Sequence, residues 1–484
     1  MAALKRRAEA LGPAAFFISG WLVYLVFLYP GFMSTDSVHQ LLEARRGEIA
    51  DWHSPAMTWL WGAVDRIAPG PSGMLFLQST ALWAALWVIY RRTVAGRAPL
   101  AGAALFSGLM FFPPVFGVAG VVWKDILMWA ALTGAVAALA SFAARRAAPG
   151  SWRAPLAVYA ACCLAAALMR PNAIFFIAAL SILPASSLFE RRRGAMYALL
   201  SVGAASLALL AVASAVNRSI AVRATHPELS IALFDISGVV ANAGNAEKRA
   251  ALFDEIPEAL RAGSSPERLA ETYSPRYWQD VFAAEPPGLD APETFETDRV
   301  AGFAAWSDRE RAALIRAWKR MIADAPGAYL AHRARAFGEA IGAPTLQWQP
   351  VLMQPAHYPD ELKAIYAPPR EQTGAQKLVE AVFYRLSIFW PYKPWFYLLA
   401  ALALLAFNAS TAKLASLESA LCLAALAHEA GLFFLAPSAD YRYSHIAVFS
   451  VSLALLLTGL RARYGGGPVI FSRNSRPSSR SIRG

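Results

Sequence analysis

Long apolar runs alternate with short polar connections along most of this 484-residue chain. A helix needs roughly 20 mostly apolar residues to cross a bilayer, and ten runs approach that length. They lie near residues 13–30, 73–90, 99–120, 126–144, 154–169, 173–189, 195–215, 394–409, 414–436 and 444–460. The pattern predicts an all-α polytopic membrane protein with about ten transmembrane helices.

Basic residues fall in every second connection between these runs. They are Lys5, Arg6, Arg7, Arg91, Arg92, Arg97, Arg145, Arg146, Arg153, Arg191, Arg192, Arg193, Lys413, Arg461 and Arg463. Because cytoplasmic connections carry the excess of lysine and arginine, both termini are predicted to face the cytoplasm and the remaining connections the exterior. The same bias accounts for the net charge of +12 without a nucleic-acid partner.

Composition agrees with a membrane protein. Hydrophobic residues make up 57% of the chain and charged residues only 16%, whereas a soluble domain carries about 25% charged residues. All three cysteines, Cys162, Cys163 and Cys422, lie in apolar runs, which indicates neither a disulfide framework nor a zinc site. The Ala- and Arg-rich composition favours a bacterial protein of the inner membrane.

These patterns divide the chain into an N-terminal transmembrane module with its first outer loop, a soluble extracytoplasmic segment that is mainly helical, further transmembrane helices and a basic cytoplasmic tail. The boundaries are 1–215 with the loop at 31–72, then 216–393, 394–461 and 462–484. Arginines in the tail, which would contact anionic lipid, are Arg473, Arg476, Arg480 and Arg483. Residues 311–337 have helical periodicity broken at Pro326, and their alternating aromatic and basic residues are typical of helices on a membrane surface.

The first outer loop contains signals for two short helices. Ser34 or Thr35 can cap a helix that runs to about Arg46, and Gly47 can end it. Ser54-Pro55 begins a second helix, with serine as the cap and proline in the first turn. Apolar residues recur at helical spacing in both, namely Val38, Leu41, Leu42, Met57, Leu60, Trp61 and Val64. Two amphipathic helices are therefore expected in the membrane interface.

Candidate reactive residues lie in four of the predicted outer connections. They are Asp36, Asp51, His53, Lys124, Asp125, Arg170, Asn172, Tyr441, Arg442, Tyr443 and His445. Their convergence on one membrane face from distant parts of the chain indicates an enzyme working at a membrane surface.

The acidic and histidine candidates each have two readings. Asp36 could be a general base, because a partly desolvated carboxylate is more basic, or it could complement a helix dipole. Asp51 and His53 could orient a substrate, bind a metal or transfer a proton, or they could bond the backbone of their own loop. His428 and Glu429 lie inside a predicted span, as a functional pair or as an interhelical hydrogen bond.

The cations also allow two readings. Lys124, Arg170 and Arg442 together would suit a lipid-linked phosphate or diphosphate. Alternatively, Lys124-Asp125 could form salt bridges with neighbouring helices, and Arg170 could extend to the surface. The chain has no Gly-rich phosphate loop, no His-Glu-x-x-His helix and no Gly-x-Ser-x-Gly elbow. This argues against an ATP-driven pump, a zinc protease and a serine hydrolase of the usual fold.

The arrangement resembles the GT-C superfamily of polytopic glycosyltransferases, which includes protein O-mannosyltransferases, oligosaccharyltransferases and bacterial lipid A aminoarabinose transferases. In that family an acidic residue follows the first span and two juxtamembrane helices lie in the loop after it. The residues that carry the likeness are Pro30-Gly31, Ser34, Asp36, Gln40, Asp51-Trp52-His53, Trp123-Lys124-Asp125, Arg170-Pro171-Asn172 and Arg442-Tyr443. Two features depart from the family: Ser54-Pro55 follows His53 where proline would follow directly, and the soluble segment is internal rather than C-terminal.

The resemblance implies a GT-C-like fold and transfer of a sugar from a polyprenyl-phosphate donor to an extracytoplasmic glycan, lipid or protein. Asp36 would be the base, with Asp125, Asp51 and His53 as further catalytic residues. The donor phosphate would be bound by Lys124, Arg170 and Arg442, and substrate would be positioned by Asn172, Tyr441, Tyr443 and His445. Need for a divalent cation, Mg²⁺ or Mn²⁺ held by Asp36 and Asp125, stays open.

Two rival hypotheses use the same cations. A flippase or transporter of a lipid-linked or anionic substrate should show broken helices or paired halves. A polysaccharide polymerase or ligase would use the arginines without needing Asp36.

Overall fold

The computed structural model describes residues 2–145, 150–186, 194–261, 264–277, 306–344, 372–465, 467 and 469. Within these ranges the protein is all-helical, and its strand-like pairings are three isolated bridges. Parts of the predicted soluble segment and the tail beyond residue 469 lie outside the described residues, as do Arg146, Arg191, Arg192 and Arg193.

The N-terminal half contains the helices of the first predicted module. They are α1 (Ala2–Leu28), α2 (Thr35–Arg46), α3 (Pro55–Asp65), α4 (Ser72–Thr93), α5 (Pro99–Leu109), α6 (Pro113–Ala119), α7 (Lys124–Arg145), α8 (Arg153–Met169), α9 (Ala173–Ser186) and α10 (Gly194–Ile220). The helices that follow are α11 (Glu228–Ala241), α12 (Ala246–Asp254), α13 (Glu258–Arg261), α14 (Pro266–Thr272), α15 (Asp308–Asp324), α16 (Pro326–Ala340), α17 (Gly374–Leu386), α18 (Pro394–Ser410), α19 (Leu417–Leu435) and α20 (Tyr441–Tyr464).

The protein is a helical membrane protein. Five of the described helices, α4, α7, α10, α19 and α20, are long and apolar enough to cross a membrane. Helices α5 and α6 meet at a bend of 57° and pass the same test only as a pair. Four further apolar helices are shorter, in Gly12–Leu28, Arg153–Met169, Ala173–Ser186 and Pro394–Ser410. Each of the ten apolar runs predicted from the sequence therefore coincides with an apolar helix or with the bent pair.

The two helices predicted in the first loop (residues 29–71) are confirmed. The Ser34 side chain accepts a hydrogen bond from the Ser37 N–H at the start of α2, and Gly47 ends the helix with φ +72°, a left-handed conformation that glycine adopts without strain. Ser54 caps α3 through the Met57 N–H, and Pro55 occupies its first turn. Local capping chemistry thus sets the position of Asp36 and of the chain around His53.

Helix α7 packs against α4 and α8, and α19 packs against α9 and α20, around one large apolar core. The first loop joins this core through backbone hydrogen bonds at the junction between α6 and α7. The Phe32 N–H donates to the Gly120 carbonyl, and the Val122 N–H donates to the Phe32 carbonyl, both at 2.9 Å. These bonds bring the chain that precedes Asp36 beside the start of α7.

Helices α11 to α16 form a lobe around a second apolar core, within the segment that the sequence predicts to be soluble. The periodic segment predicted at residues 311–337 is helical and breaks at Pro326, as the sequence indicates. However, its apolar side chains Leu314 and Met321 are buried against α11. These apolar side chains are therefore covered by α11 within the protein, and the expectation that the aromatic and basic residues of this segment lie on a membrane surface stays a prediction.

Candidate functional site

The structure brings Asp36 and Arg442 together from opposite ends of the chain. Asp36 lies in the first turn of α2 and Arg442 in the first turn of α20, where Arg442 Nη1 is 2.6 Å from Asp36 Oδ2. Asp440, the residue that caps α20, places its Oδ2 2.8 Å from Arg442 Nε. The Asp36 and Arg442 side chains keep 27% and 14% of their surface exposed. The pair is therefore partly accessible to solvent, and we call Asp36, Arg442 and Asp440, with Lys124 and the Arg170–Asp125 pair beside them, the charged cluster.

Trp123 supports this pair from the junction before α7. Its ring centroid is 4.8 Å from the guanidinium carbon of Arg442, within range of a cation–π interaction. Its indole N–H donates to Ser34 Oγ at 2.6 Å, and the neighbouring Ser37 hydroxyl donates to the Val122 carbonyl at 2.8 Å. Trp123 thus links the cap of α2 to the arginine that faces Asp36.

A second ion pair also lies beside Tyr443. Arg170 Nε is 2.9 Å from Asp125 Oδ1, and the Asp125 side chain is almost fully buried. The guanidinium carbons of Arg170 and Arg442 lie 4.5 and 5.4 Å from the centroid of the Tyr443 ring. Two arginines, each paired with a carboxylate, therefore lie within cation–π range of one aromatic ring.

The third cation contacts His53. Lys124 Nζ is 3.4 Å from His53 Nδ1, and His53 is buried. Burial and the Lys124 charge hold the pKa of His53 well below its usual range. His53 is therefore neutral near pH 7 and can accept a hydrogen bond from the lysine. The adjacent Ser54 hydroxyl donates to the Leu168 carbonyl at 2.9 Å, which fixes this part of the loop to the end of α8.

The electrostatic field at Asp36 is set by opposing effects. Burial raises its pKa, but the positive charges of Arg442 and Lys124 outweigh burial and hold the pKa well below the usual carboxyl range. Burial raises the pKa of Asp440, against the lowering effect of Arg442. Asp36 is therefore ionised at neutral pH, and its basicity depends on where the Arg442 charge lies.

Asp51 lies apart from this cluster. Its Oδ1 accepts hydrogen bonds from the Thr225 N–H at 2.5 Å and the Thr225 hydroxyl at 2.6 Å. These bonds tie the first loop to the segment after α10. Asn172 lies in the turn before α9, where its side chain is partly exposed. Neither residue contacts the Asp36–Arg442 pair in the contacts described.

Tyr441 and His445 also face away from the charged cluster. Tyr441 Oη donates to the Pro114 carbonyl at 2.8 Å, and His445 Nε2 lies 3.0 Å from the Val115 carbonyl. Both carbonyls belong to α6, which follows the bend after α5. The two side chains therefore join α20 to this bend, and the role in positioning substrate that the resemblance implies for them stays a prediction.

His428 and Glu429 bond α19 to α20. His428 Nε2 lies 2.9 Å from the Tyr443 carbonyl, and the Ser444 hydroxyl donates to Glu429 Oε2 at 3.2 Å. Of the two readings that the sequence allows, these contacts match the interhelical hydrogen bond. They also fix the backbone beneath the Tyr443 ring.

Sequence reasoning did not single out Asp440 as a site residue, although it orients Arg442. The available signal was an acidic residue directly before an apolar run, where it can cap the helix. Among the described residues, no group of three or more His, Cys, Asp or Glu side chains could hold a metal ion. Asp36 and Asp125 each face an arginine instead. No protein-family model, curated protein or solved structure matches this chain.

Proposed function

We propose that the protein is a membrane glycosyltransferase that moves a sugar from a polyprenyl-phosphate donor to a glycan, lipid or protein acceptor. The observation that carries the proposal is the placement of an ionised, partly exposed Asp36 beside Arg442, with Lys124 and the Arg170–Asp125 pair next to it. A general base and cations for a phosphate leaving group are the two components that such a transfer requires.

The cations suit a phosphate or diphosphate ester. Arginine guanidinium groups present a planar set of donors that matches phosphate oxygens, and lysine adds a compact charge. As the bond between the sugar carbon and the phosphate oxygen breaks, its electron pair passes to the phosphate. Lys124, Arg170 and Arg442 offset the charge that grows there. The released product is the polyprenyl phosphate.

Asp36 takes the proton from the acceptor. The acceptor hydroxyl or amine attacks the sugar carbon, which develops oxocarbenium character, and its proton passes to an Asp36 oxygen. While Arg442 pairs with Asp36, the carboxylate is a weak base. A donor phosphate competes for the Arg442 guanidinium and so restores basicity to Asp36. Donor binding and activation of the base are thereby coupled.

Other predicted site residues support this centre. His53 contacts Lys124, Asp125 pairs with Arg170, and the Tyr443 ring contacts both arginines. Asn172, partly exposed in the turn before α9, would contact the substrate. Asp51, Tyr441 and His445 act through the loops and helices that they join.

The proposal includes a GT-C-like architecture in the bacterial inner membrane. The ten apolar runs, with α5 and α6 as one broken crossing, would all cross the bilayer. The alternating basic connections favour cytoplasmic termini and an exterior site. Such a site meets lipid-linked sugars and acceptors on the outer side of the membrane.

Proteoliposomes that contain the full chain and polyprenyl-phosphate sugars test the leaving-group role. Arg442→Gln is expected to lower sugar transfer by about 100-fold or more, since loss of one donor to a developing charge has effects of that order. Arg309→Gln, which changes an exposed arginine on the lobe, serves as the control. Undiminished transfer by Arg442→Gln would overturn the role. Movement of the lipid between leaflets without transfer would favour a flippase.

A further inference from the structure

The lobe contains a buried ionic network that the proposed reaction does not use directly. Asp235 in α11 has no exposed surface, and its Oδ1 lies 2.6 Å from Arg333 Nε and 3.2 Å from His332 Nε2. Its Oδ2 accepts a hydrogen bond from the Trp318 indole at 2.8 Å. Buried ion pairs are weak contributors to stability because desolvation offsets their attraction. Stability alone therefore gives a poor account of this network.

Arg333 has a second contact outside the lobe. Its Nη1 donates to the Ala436 carbonyl at 2.8 Å. Ala436 follows α19 and begins the loop that leads into α20, which we call the Asp440 arm (residues 436–440). The arm contacts the lobe again where the Ala439 N–H donates to the Arg276 carbonyl at 2.7 Å. Two bonds from the lobe thus hold this short connection.

The Asp440 arm ends at the charged cluster. Asp440 Oδ1 accepts from the Arg442 N–H at 3.1 Å, and its Oδ2 lies 2.8 Å from Arg442 Nε. Arg442 in turn contacts Asp36. Asp235 in the lobe is therefore connected to Asp36 by the Arg333 contacts, the backbone of residues 436–440, and the ion pairs of Arg442 with Asp440 and Asp36.

The lobe also contacts the first loop, which carries Asp36. Trp52 packs against the apolar core of the lobe, and Asp51 bonds Thr225 just before α11. The first loop, which carries Asp36, and the arm, which leads to Arg442, are thus attached to the same small domain. A shift of either attachment changes the placement of Arg442 relative to Asp36.

We propose that Arg333 is a positioning residue: it fixes the Asp440 arm and thereby sets the guanidinium of Arg442 opposite Asp36. This inference rests on the proposed function for its catalytic meaning, but the mechanical link does not depend on it. The guanidinium can bond Asp235 through Nε and Ala436 through Nη1 at once. A lysine has one nitrogen and cannot reproduce both contacts.

Hydrogen exchange of the full chain in detergent tests the link without any assay of transfer. Arg333→Lys keeps a cation beside Asp235 and loses the Ala436 bond, so amides of residues 436–443 should exchange about tenfold faster or more. Amides of α11, α15 and α16 should keep wild-type protection. Arg335→Lys, on an exposed position of the same helix, should change neither region. Unchanged exchange at 436–443, or a uniform rise across the lobe, would overturn the proposal.

A second variant tests the same bond in case Arg333→Lys unfolds the lobe. Asp235→Leu combined with Arg333→Met replaces the buried pair with apolar side chains, a change that such pairs often tolerate. It removes the same bond to Ala436, and faster exchange at 436–443 is again expected. Wild-type exchange there in this double variant would count against the link as strongly as in the single variant.

Binding of inorganic diphosphate tests whether the Arg333–Ala436 bond affects Arg442 in the charged cluster. Arg333→Lys is expected to weaken diphosphate binding about tenfold, because Arg442 is displaced. In an Arg442→Gln background, Arg333→Lys should have less than about a twofold further effect, since both changes act through the same guanidinium. Additive effects would show that Arg333 does not act through Arg442. A chain that binds diphosphate in this pattern yet transfers no sugar would refute the glycosyltransferase and keep the positioning role.

Discussion

Asp36→Asn should abolish sugar transfer and at the same time tighten the binding of inorganic diphosphate. The substitution keeps the size of the side chain and removes its charge. Arg442 Nη1 then loses an ionic partner at 2.6 Å, while Asp440 still holds Nε at 2.8 Å. The guanidinium stays in place with one face available to an anion.

The size of this effect follows from the exposure of the pair. Exposed ion pairs contribute about 0–1 kcal/mol, whereas breaking a buried pair costs about 3–5 kcal/mol. Asp36 and Arg442 are 27% and 14% exposed, which places their pairing between these limits, at about 1–2 kcal/mol. A diphosphate that no longer competes with Asp36 should therefore bind roughly 5- to 30-fold more tightly.

Isothermal titration of the purified full chain with inorganic diphosphate measures this change. Asp324→Asn, at an exposed position of α15, is the matched control and should bind as the wild type does. Arg442→Gln should lose most of the affinity. Weaker or unchanged binding in Asp36→Asn would refute the reasoning. Weaker binding would indicate that a bound cation joins the Asp36 carboxylate to the diphosphate, so that the two do not compete for Arg442.

Other substitutions test separate contacts. Burial raises the pKa of Glu43 from 4.5 to about 7. Between these values the folded state keeps the proton while the unfolded state loses it, so wild-type stability should fall as the pH rises from 4.5 to 7. Glu43→Gln should therefore match the wild-type Tm at pH 4.5 and exceed it at pH 8. A Cβ on Gly238 would lie 2.0 Å from His332 Nδ1, so Gly238→Ala should lower Tm and perturb the lobe, whereas Gly244→Ala, with no atom within 4 Å, should not. Tyr443→Phe should retain diphosphate affinity, whereas Tyr443→Leu should weaken it about fivefold through loss of the aromatic face.

Each of these expectations has a contrary result. An identical pH dependence of Tm in Glu43→Gln and the wild type would mean that the pKa of Glu43 is the same in the folded and the unfolded state. A wild-type melting curve for Gly238→Ala would show that His332 can leave its contact with Asp235 freely. Equal affinities for the two Tyr443 variants would remove the ring from the anion site.

Local features of the sequence predicted the first loop well. The caps at Ser34 and Ser54, the stop at Gly47 and the break at Pro326 depend on residues within a few positions of one another. Apolar periodicity likewise identified the helices, since burial in lipid or in a protein core demands the same side chains. That equivalence is also why the apolar periodicity of α15 could not reveal that this helix packs on α11.

The partners of charged residues could not be predicted in the same way. The sequence indicates that Asp36 and Arg442 lie on one face, but nothing local specifies that they pair or that Asp440 shares the arginine. Tyr441 and His445 belong to the same short motif as Arg442, yet helical geometry turns them toward α6. Arg333 reads as a surface residue until α11 supplies Asp235. Such pairings depend on tertiary packing and not on spacing along the chain.

The most direct test of the account is transfer of radiolabelled sugar from polyprenyl-phosphate donors in membranes that contain equal amounts of wild type, Asp36→Asn or Asp324→Asn. The account predicts transfer by the wild type and Asp324→Asn, and loss of transfer by Asp36→Asn. Equal transfer by Asp36→Asn would remove Asp36 as the base and favour a ligase that uses only the cations. No transfer from any donor, with lipid-linked substrate still carried across the membrane, would contradict the glycosyltransferase itself.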